Sequence, residues 1–371
     1  MNITYVTAYF LPYNSAGTER TLGYINSIKG NKNLLLTVIF PIFQNEEFQL
    51  KDKGNIKYLP IKIRYKRSSS NFIKRLFVES YTSIKLLSNI IKFSSHKIIV
   101  STPFFPIVFF APFFCKKTSL ILEIRDATWD YFNNVFLRKI IKLPLKIALN
   151  RYYKIVTVTK SQLKLLPRDI QKKSYVCING ISQERFNTLQ TQVKYKPLPN
   201  SKNFYYCGTL GKGQNILSIV KFLLSLEDVK IRIRGAGAQS ELIHNIIDND
   251  LNNKIELLEY APFNKVVEDY NWSDFLIVSL DERFYSAIPS KIYEYLAAKR
   301  NILCFCSKKS AIRSITNKNL HFFNLPHKVS SEDLLSIKKL ISFENQNKYN
   351  DEYFDKKFIR ENSINEFLKI I

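Results

Sequence analysis

Short strand-like runs alternate with helical patterns along almost the whole chain. Ile3–Phe10, Leu34–Phe40, Lys97–Ser101, Ser119–Ile124 and Ile155–Val158 are rich in β-branched, aliphatic and aromatic residues, and helical periodicity falls between them. A strand, helix, strand order of this kind builds a parallel sheet covered on both faces. The rhythm resumes with Phe204–Cys207, Val229–Ile233, Ile255–Leu258, Phe275–Ser279 and Ile302–Phe305. Between the two series lies Thr188–Asn203, polar, aperiodic and broken by Pro197 and Pro199, which reads as a linker.

The expected class is therefore α/β, with two Rossmann-like parallel-sheet domains facing across a cleft. Residues 1–190 form the first domain and residues 200–349 the second, and a helix within residues 350–371 returns to the first. A chain of 371 residues is long enough for two such cores. Open α/β sheets bind ligands at the carboxyl ends of their strands, so the chemistry is expected in the cleft.

The formal charge is +25, and its placement is uneven. Residues 1–190 hold 30 Lys and Arg against 10 Asp and Glu, so the first half carries most of the positive field. Such a field attracts nucleic acid, anionic lipid or phosphorylated substrates. Five cysteines without a CxxC pair fit small buried residues in a reducing compartment, and the opening residues read as a strand without the basic flank of a signal peptide; the cytosol is expected. Ile98–Phe114 is apolar enough to imitate a membrane span, but its three prolines favour a strand, a turn and a short buried helix.

The clearest chemical constellation is Ala287-Ile-Pro-Ser-Lys-Ile-Tyr-Glu-Tyr-Leu-Ala-Ala298. Ser290 can cap a helix whose first amides, with Lys291, make an anion site suited to a diphosphate. Glu294 lies one turn later on the same face, where its carboxylate can accept from ribose hydroxyls. A plain capped helix with surface charges is the bland alternative. Tyr206-Cys-Gly-Thr-Leu-Gly-Lys-Gly213 adds a glycine loop between strand and helix, where Gly208 and Thr209 let backbone approach a phosphate and Lys212 can reach a leaving diphosphate. Gly235 and Gly237 end the next strand, fitting either base contact or tight packing.

In their order along the chain these fragments resemble the retaining glycosyltransferase family 4, whose members have the two-domain GT-B fold. Tyr9-Phe-Leu-Pro-Tyr-Asn-Ser-Ala-Gly17 with Glu19-Arg20 is similar to the family's first strand-to-helix loop, Arg125-Asp-Ala-Thr-Trp129 to its Arg-Asp-x-x-Trp element, and Ile178-Asn-Gly-Ile181 through Phe186 to its Asn-Gly-x-x-x-x-x-Phe stretch. The resemblance implies that Gly208, Thr209 and the Ser290 amide hold the donor diphosphate and that Glu294 binds ribose. It places Gly17, Arg20, Arg125 and Asp126 on the acceptor side, where a structural Arg-Asp pair is the alternative. Lys291 and Lys212 are the candidate catalytic cations, neutralising the leaving diphosphate. Many members carry a second Glu eight positions before the ribose Glu, and Ser286 stands there in this chain.

The resemblance thus implies sugar transfer with retention from a nucleotide-diphosphate-sugar, a UDP-sugar being expected, to a polyprenyl-diphosphate-linked or glycan acceptor in surface polysaccharide or glycolipid assembly. Retaining transfer is pictured as front-face substitution, in which the leaving phosphate oxygen takes the acceptor proton, so no protein base is obligatory. No metal and no other cofactor is expected. Asp248-Asn-Asp250 has the form of a metal-binding DxD, but it follows a helical pattern and reads as a helix end and loop. The four histidines are scattered without ligand spacing.

Two basic stretches, Lys62–Arg67 running into Asn71–Phe77 and Phe136–Lys146, combine cations with large apolar residues. Either can rest on an anionic membrane surface, or turn its apolar stripe to the core and its cations to water. The charge asymmetry favours peripheral contact at the inner face of the cell membrane. A nucleotide-sugar 2-epimerase of the same architecture, or a non-catalytic basic protein binding membrane or RNA, are the rival readings. No nucleic-acid-binding motif occurs, and nucleic acid is not expected as a partner.

Overall fold

Runs that are apolar on both faces form the centres of two parallel sheets. The structure, a computed structural model, describes every residue except 14, 68–71, 91–94, 103, 131–134, 195–201, 212, 249, 251–252, 326–330 and 343–353. Two compact units result, Met1–Ser182 with Lys357–Ile371, and Gln183–Lys356.

The first unit runs β1 (Asn2–Val6), α1 (Ala16–Ile28), β2 (Leu35–Ile42), β3 (Ile56–Lys62), α2 (Phe72–Ile90), β4 (Lys97–Ser101), α3 (Phe105–Phe114), β5 (Leu120–Ile124), α4 (Val135–Asn150), β6 (Lys154–Thr157), α5 (Lys160–Lys164), α6 (Arg168–Gln171) and β7 (Ser174–Val176). The second runs α7 (Gln183–Gln192), β8 (Lys202–Cys207), α8 (Ile216–Leu224), β9 (Val229–Arg234), α9 (Ser240–Ile247), β10 (Ile255–Leu258), α10 (Phe263–Trp272), β11 (Phe275–Leu280), α11 (Lys291–Ala297), β12 (Asn301–Cys306), β13 (Leu320–Phe323) and α12 (Ser331–Ser342). Helix α13 (Arg360–Leu368) belongs to the first unit.

The first sheet has seven strands in the order β3-β2-β1-β4-β5-β6-β7, and the second has six in the order β10-β9-β8-β11-β12-β13. Both are parallel throughout, the doubly wound pattern of a Rossmann-like domain. Alternate side chains of the first sheet serve two cores. Val100 and Leu122 pack with Leu86 of α2, Ile107 of α3 and Leu145 of α4. Ile99 and Ile121 pack with Tyr24 of α1 and Phe367 of α13. The second sheet buries Phe204, Ile231 and Ile277 against Ile219 of α8 and Ile243 of α9.

Three strands are absent from the sequence reading: β3, β7 and β13, and all three are sheet edges. An edge strand is buried on fewer sides, so it needs no continuous apolar run; β3 even carries Pro60, which an edge tolerates. Strand β1 is also shorter than Ile3–Phe10, because Thr7 onward is loop. The change of unit falls after Ser182, upstream of the expected linker. Residues 188–192 are polar because they belong to the surface helix α7, whose Gln190 side-chain amide donates to the Ala297 carbonyl at 3.0 Å. The rest of the expected linker, 195–201, lies outside the described residues.

The apolar segment 98–114 divides into β4 and α3, with Pro106 in the helix's first turn and Pro112 inside it. Among the described residues no helix is long and apolar enough to cross a membrane.

Candidate functional site

In the second unit the candidate donor residues gather at the carboxyl end of the sheet. Tyr295 of α11 joins two of them: its phenol oxygen accepts from the Cys207 amide at 2.9 Å, so the helix bearing Glu294 is fixed to the end of β8, next to Gly208. Gly208 and Thr209 follow directly, Thr209 exposed and its carbonyl accepting from the Tyr206 hydroxyl at 2.8 Å. A side chain at Gly208 would press on Tyr206, and one at Gly213 on the Phe284 ring. Lys212 lies outside the described residues.

The loop after β9 folds under this glycine loop. Gly208 donates its amide to the Arg234 carbonyl and Leu210 to the Ala236 carbonyl, both at 3.0 Å. Gly235 has φ +152°, and a Cβ there would stand 1.9 Å from the Gly208 carbonyl oxygen. Gly237, at φ +159°, would meet the Leu210 carbonyl at 2.6 Å. Backbone packed on backbone accounts for both glycines.

Glu294 is buried, and three side chains converge on it. The Arg185 guanidinium reaches Oε1 at 2.9 Å; the Lys291 ammonium and the Tyr270 hydroxyl reach Oε2 at 2.7 and 3.0 Å. Burial alone would raise the carboxyl pKa, but Lys291 and Arg185 overcome it and hold it down at about 2. Burial likewise opposes the charge on Lys291, and Glu294 outweighs it, raising the ammonium pKa. The three charged groups together carry one net positive charge. Behind Tyr270, its neighbour Asp269 takes Arg232 and Arg234 at 3.0 and 2.6 Å, tying α10 to β9.

Ser290 stands at the first turn of α11 but makes no capping hydrogen bond. Its backbone is already helical (φ −61°, ψ −28°), not extended, so the hydroxyl does not fold back on the amides. The expected side-chain cap is corrected accordingly; α11 has seven residues, and Lys291 and Arg185 bring positive charge to its first turns.

Arg185, Tyr270 and Tyr295 were missed by sequence reasoning. Arg185 lies inside the quoted Asn179–Phe186 stretch, where an Arg in a short helix after Asn-Gly was the available signal. Tyr295 lies inside the Ala287–Ala298 stretch but carried no role there, and Tyr270 gave no signal, since a buried Tyr looks like any aromatic core residue.

In the first unit Gly17 and Arg125 come together: a Cβ on Gly17 would stand 2.7 Å from Arg125 Nη1 and 2.6 Å from Tyr9 Cβ. Asp126 follows Arg125, and burial raises its carboxyl pKa while Arg125 lowers it. Arg20 departs from this group. It is 1% exposed, pairs with the fully buried Glu123 through two nitrogens at 2.9 and 3.0 Å, and donates to the carbonyls of Cys177 and Ile178. The Tyr5, Tyr24 and Ser101 hydroxyls complete the carboxylate's shell at 2.6, 2.8 and 2.8 Å. Arg20 is a buried tie between α1 and β5, its guanidinium enclosed by Glu123 and two backbone carbonyls rather than exposed on the loop. Asp248 caps the end of α9, and the Asp250 carboxylate, in the segment before β10, accepts from the first amide of that strand, Ile255, at 2.9 Å. Among the described residues no group of three or more His, Cys, Asp or Glu is placed to hold a metal ion.

The sequence matches no protein-family model and no curated protein. Solved structures do match. The catalytic domain of starch synthase IV from Arabidopsis thaliana, bound to ADP and acarbose, is similar with a TM-score of 0.68 at 10% identity, over 99% of this chain and 98% of that one. The lipopolysaccharide outer core galactosyltransferase WaaB gives 0.64 at 14% identity over 100% of both chains. The fold is GT-B. The Anabaena protein HepE in complex with UDP is also similar, with a TM-score of 0.62 at 12% identity over 100% of both chains.

Proposed function

We propose that this GT-B protein is a glycosyltransferase that takes a sugar, with retention, from a nucleotide-diphosphate-sugar. The observation that carries the reading is the buried Glu294 carboxylate, kept ionised by Arg185 and Lys291 and tied through Tyr295 to the end of β8, next to Gly208. In an open α/β sheet this is the ligand end. The net positive charge suits a diphosphate, and a carboxylate suits ribose hydroxyls.

Three donors already occupy most of the acceptor directions of Glu294. A ribose hydroxyl taking the place of Lys291 on Oε2 would release the ammonium toward the leaving diphosphate, while Arg185 and Tyr270 keep the carboxylate in place. Lys291, with Lys212 from the glycine loop, would then neutralise charge that develops on the leaving group, the form of help that a front-face substitution needs. Gly208 and Thr209 offer backbone to the phosphates. Neither a protein base nor a metal is required by this scheme. On the other unit, Gly17, Arg125 and Asp126 line the candidate acceptor end.

A UDP-sugar is the proposed donor, in keeping with the UDP held by the similar HepE structure, and the proposed acceptor is a lipid-linked or saccharide group in surface polysaccharide or glycolipid assembly, in keeping with the likeness to WaaB. The test incubates UDP-, GDP- and ADP-sugars with saccharide and polyprenyl-diphosphate acceptors, with and without EDTA, and reads nucleotide release and product anomer. Retained configuration, unaffected by EDTA and lost in Glu294→Ala, is expected. Release of epimerised nucleotide-sugar without acceptor, or no turnover of any donor, would contradict it.

A further inference from the structure

Helix α4 is apolar on two faces. Leu145, Ala148 and Leu149 are buried in the core of the first unit. Phe136, Ile140, Leu143 and Ile147 recur at spacings of four, three and four, which is a second stripe, and each is more than half exposed. Lys139, Lys142 and Lys146 are exposed along one flank of that stripe. No acid occurs in Val135–Asn150; Asp169 lies 3.9 Å from Lys146. An ordinary surface helix would show water its cations and hide its apolar stripe, whereas this one shows both.

The pattern extends across the layer. Helices α2, α3 and α4 share a core on one face of the first sheet. Of the seventeen large apolar side chains exposed among the described residues, nine lie in these three helices and three in the whole second unit. Ile73 and Phe77 project from the first turns of α2 beside Lys74 and Arg75, and Phe113 of α3 lies under the Arg151 guanidinium at 5.7 Å. Soluble monomers seldom gather so many exposed apolar groups.

We infer that the α2–α3–α4 face docks on an anionic lipid bilayer, with Ile140, Leu143 and Ile147 entering the headgroup region and Lys139, Lys142 and Lys146 meeting lipid phosphates. Charge complementarity selects this occupant: apolar side chains whose flanking cations outnumber the acids beside them, Glu79 against Arg75 and Asp169 against Lys146, on the half of the chain that carries most of the +25, match an apolar interior beneath a negative surface. The surface stands independently of the proposed reaction, and it deepens that reading by bringing the protein to the plane where a lipid-linked acceptor lies.

The test sediments the full chain with vesicles of phosphatidylcholine alone or mixed with phosphatidylglycerol, and titrates each sample with nucleoside diphosphate. Binding to the anionic vesicles only is expected. Lys139→Gln with Lys142→Gln should weaken it about 25-fold, roughly fivefold per cation. Leu143→Ser with Ile147→Ser should abolish it while leaving the circular dichroism spectrum and the nucleotide response unchanged. Equal sedimentation of wild type and variants would overturn the inference, as would a wild-type dimer, indifferent to vesicles, that the serine pair turns into a monomer. Nucleotide binding without vesicle binding removes this inference alone, and vesicle binding without nucleotide binding removes only the proposed reaction.

Discussion

The Arg185 guanidinium and the Glu294 carboxylate lie 2.9 Å apart, joining α7 to α11 across 109 residues of sequence. Removing one partner of a mostly buried pair strands the other charge, although Arg185 is partly exposed and water softens the loss. Arg185→Ala should therefore destabilise the second unit by about 1–2 kcal/mol, read as a lowered midpoint in chemical denaturation. A midpoint equal to wild type would remove Arg185 from the site's support.

Acid should reveal the same cluster. An unfolded glutamate takes its proton near 4.5, whereas folded Glu294 takes one only near about 2. Between those values the unfolded state binds more protons, so this contribution is complete above pH 4.5 and fades as pH falls toward 2. Glu294→Gln, measured by denaturation across that window, should be less stable than wild type at neutral pH and should lose less on acidification. Parallel acid limbs would contradict the pairing.

The first unit depends on a different buried pair. Arg20 and Glu123 are almost wholly removed from water, and burial's penalty on the Glu123 charge is overcome by Arg20 and by the Tyr5 hydroxyl, leaving its pKa below the ordinary range. Arg20→Ala leaves an uncompensated buried carboxylate and should cost about 3–5 kcal/mol. The thermal unfolding midpoint should fall steeply; a change of a degree or two would show that the pair is dispensable.

Gly235 tests the backbone packing beneath the glycine loop. With φ +152° and a carbonyl oxygen 1.9 Å from the would-be Cβ, Gly235→Ala has to move the loop and should lose about 3 kcal/mol or more. Gly30→Ala is the control: φ is +88°, but nothing lies within 4 Å, so only backbone strain of about 1 kcal/mol remains. Equal losses in calorimetric melting would show that the contact with Gly208 carries no weight.

Much of this was legible in the sequence. Central parallel strands such as β11 and β12 are buried on both faces, so their apolar runs announce them, while β3, β7 and β13 are edges and do not. Glu294, Lys291 and Gly208 were singled out because their spacing encodes a strand end and a helix start. Arg185 and Tyr270 reach the carboxylate from distant segments, a relationship that local pattern does not hold. Arg20 shows the converse: its place beside Glu19 and Gly17 resembled a ligand loop, yet helix geometry turns it inward to Glu123. The outward apolar stripe of α4 needed the structure, because periodicity finds two stripes and does not say which is buried.

The most direct measurement is calorimetric titration of the full chain with UDP, GDP and ADP in the presence of EDTA, on wild type and Glu294→Gln. The account predicts that one nucleotide binds, UDP first among them, and that the variant loses at least tenfold in affinity, as expected when a carboxylate that accepts from ribose hydroxyls is neutralised. Indifference of the wild type to all three nucleotides, or equal affinity in the variant, would contradict it.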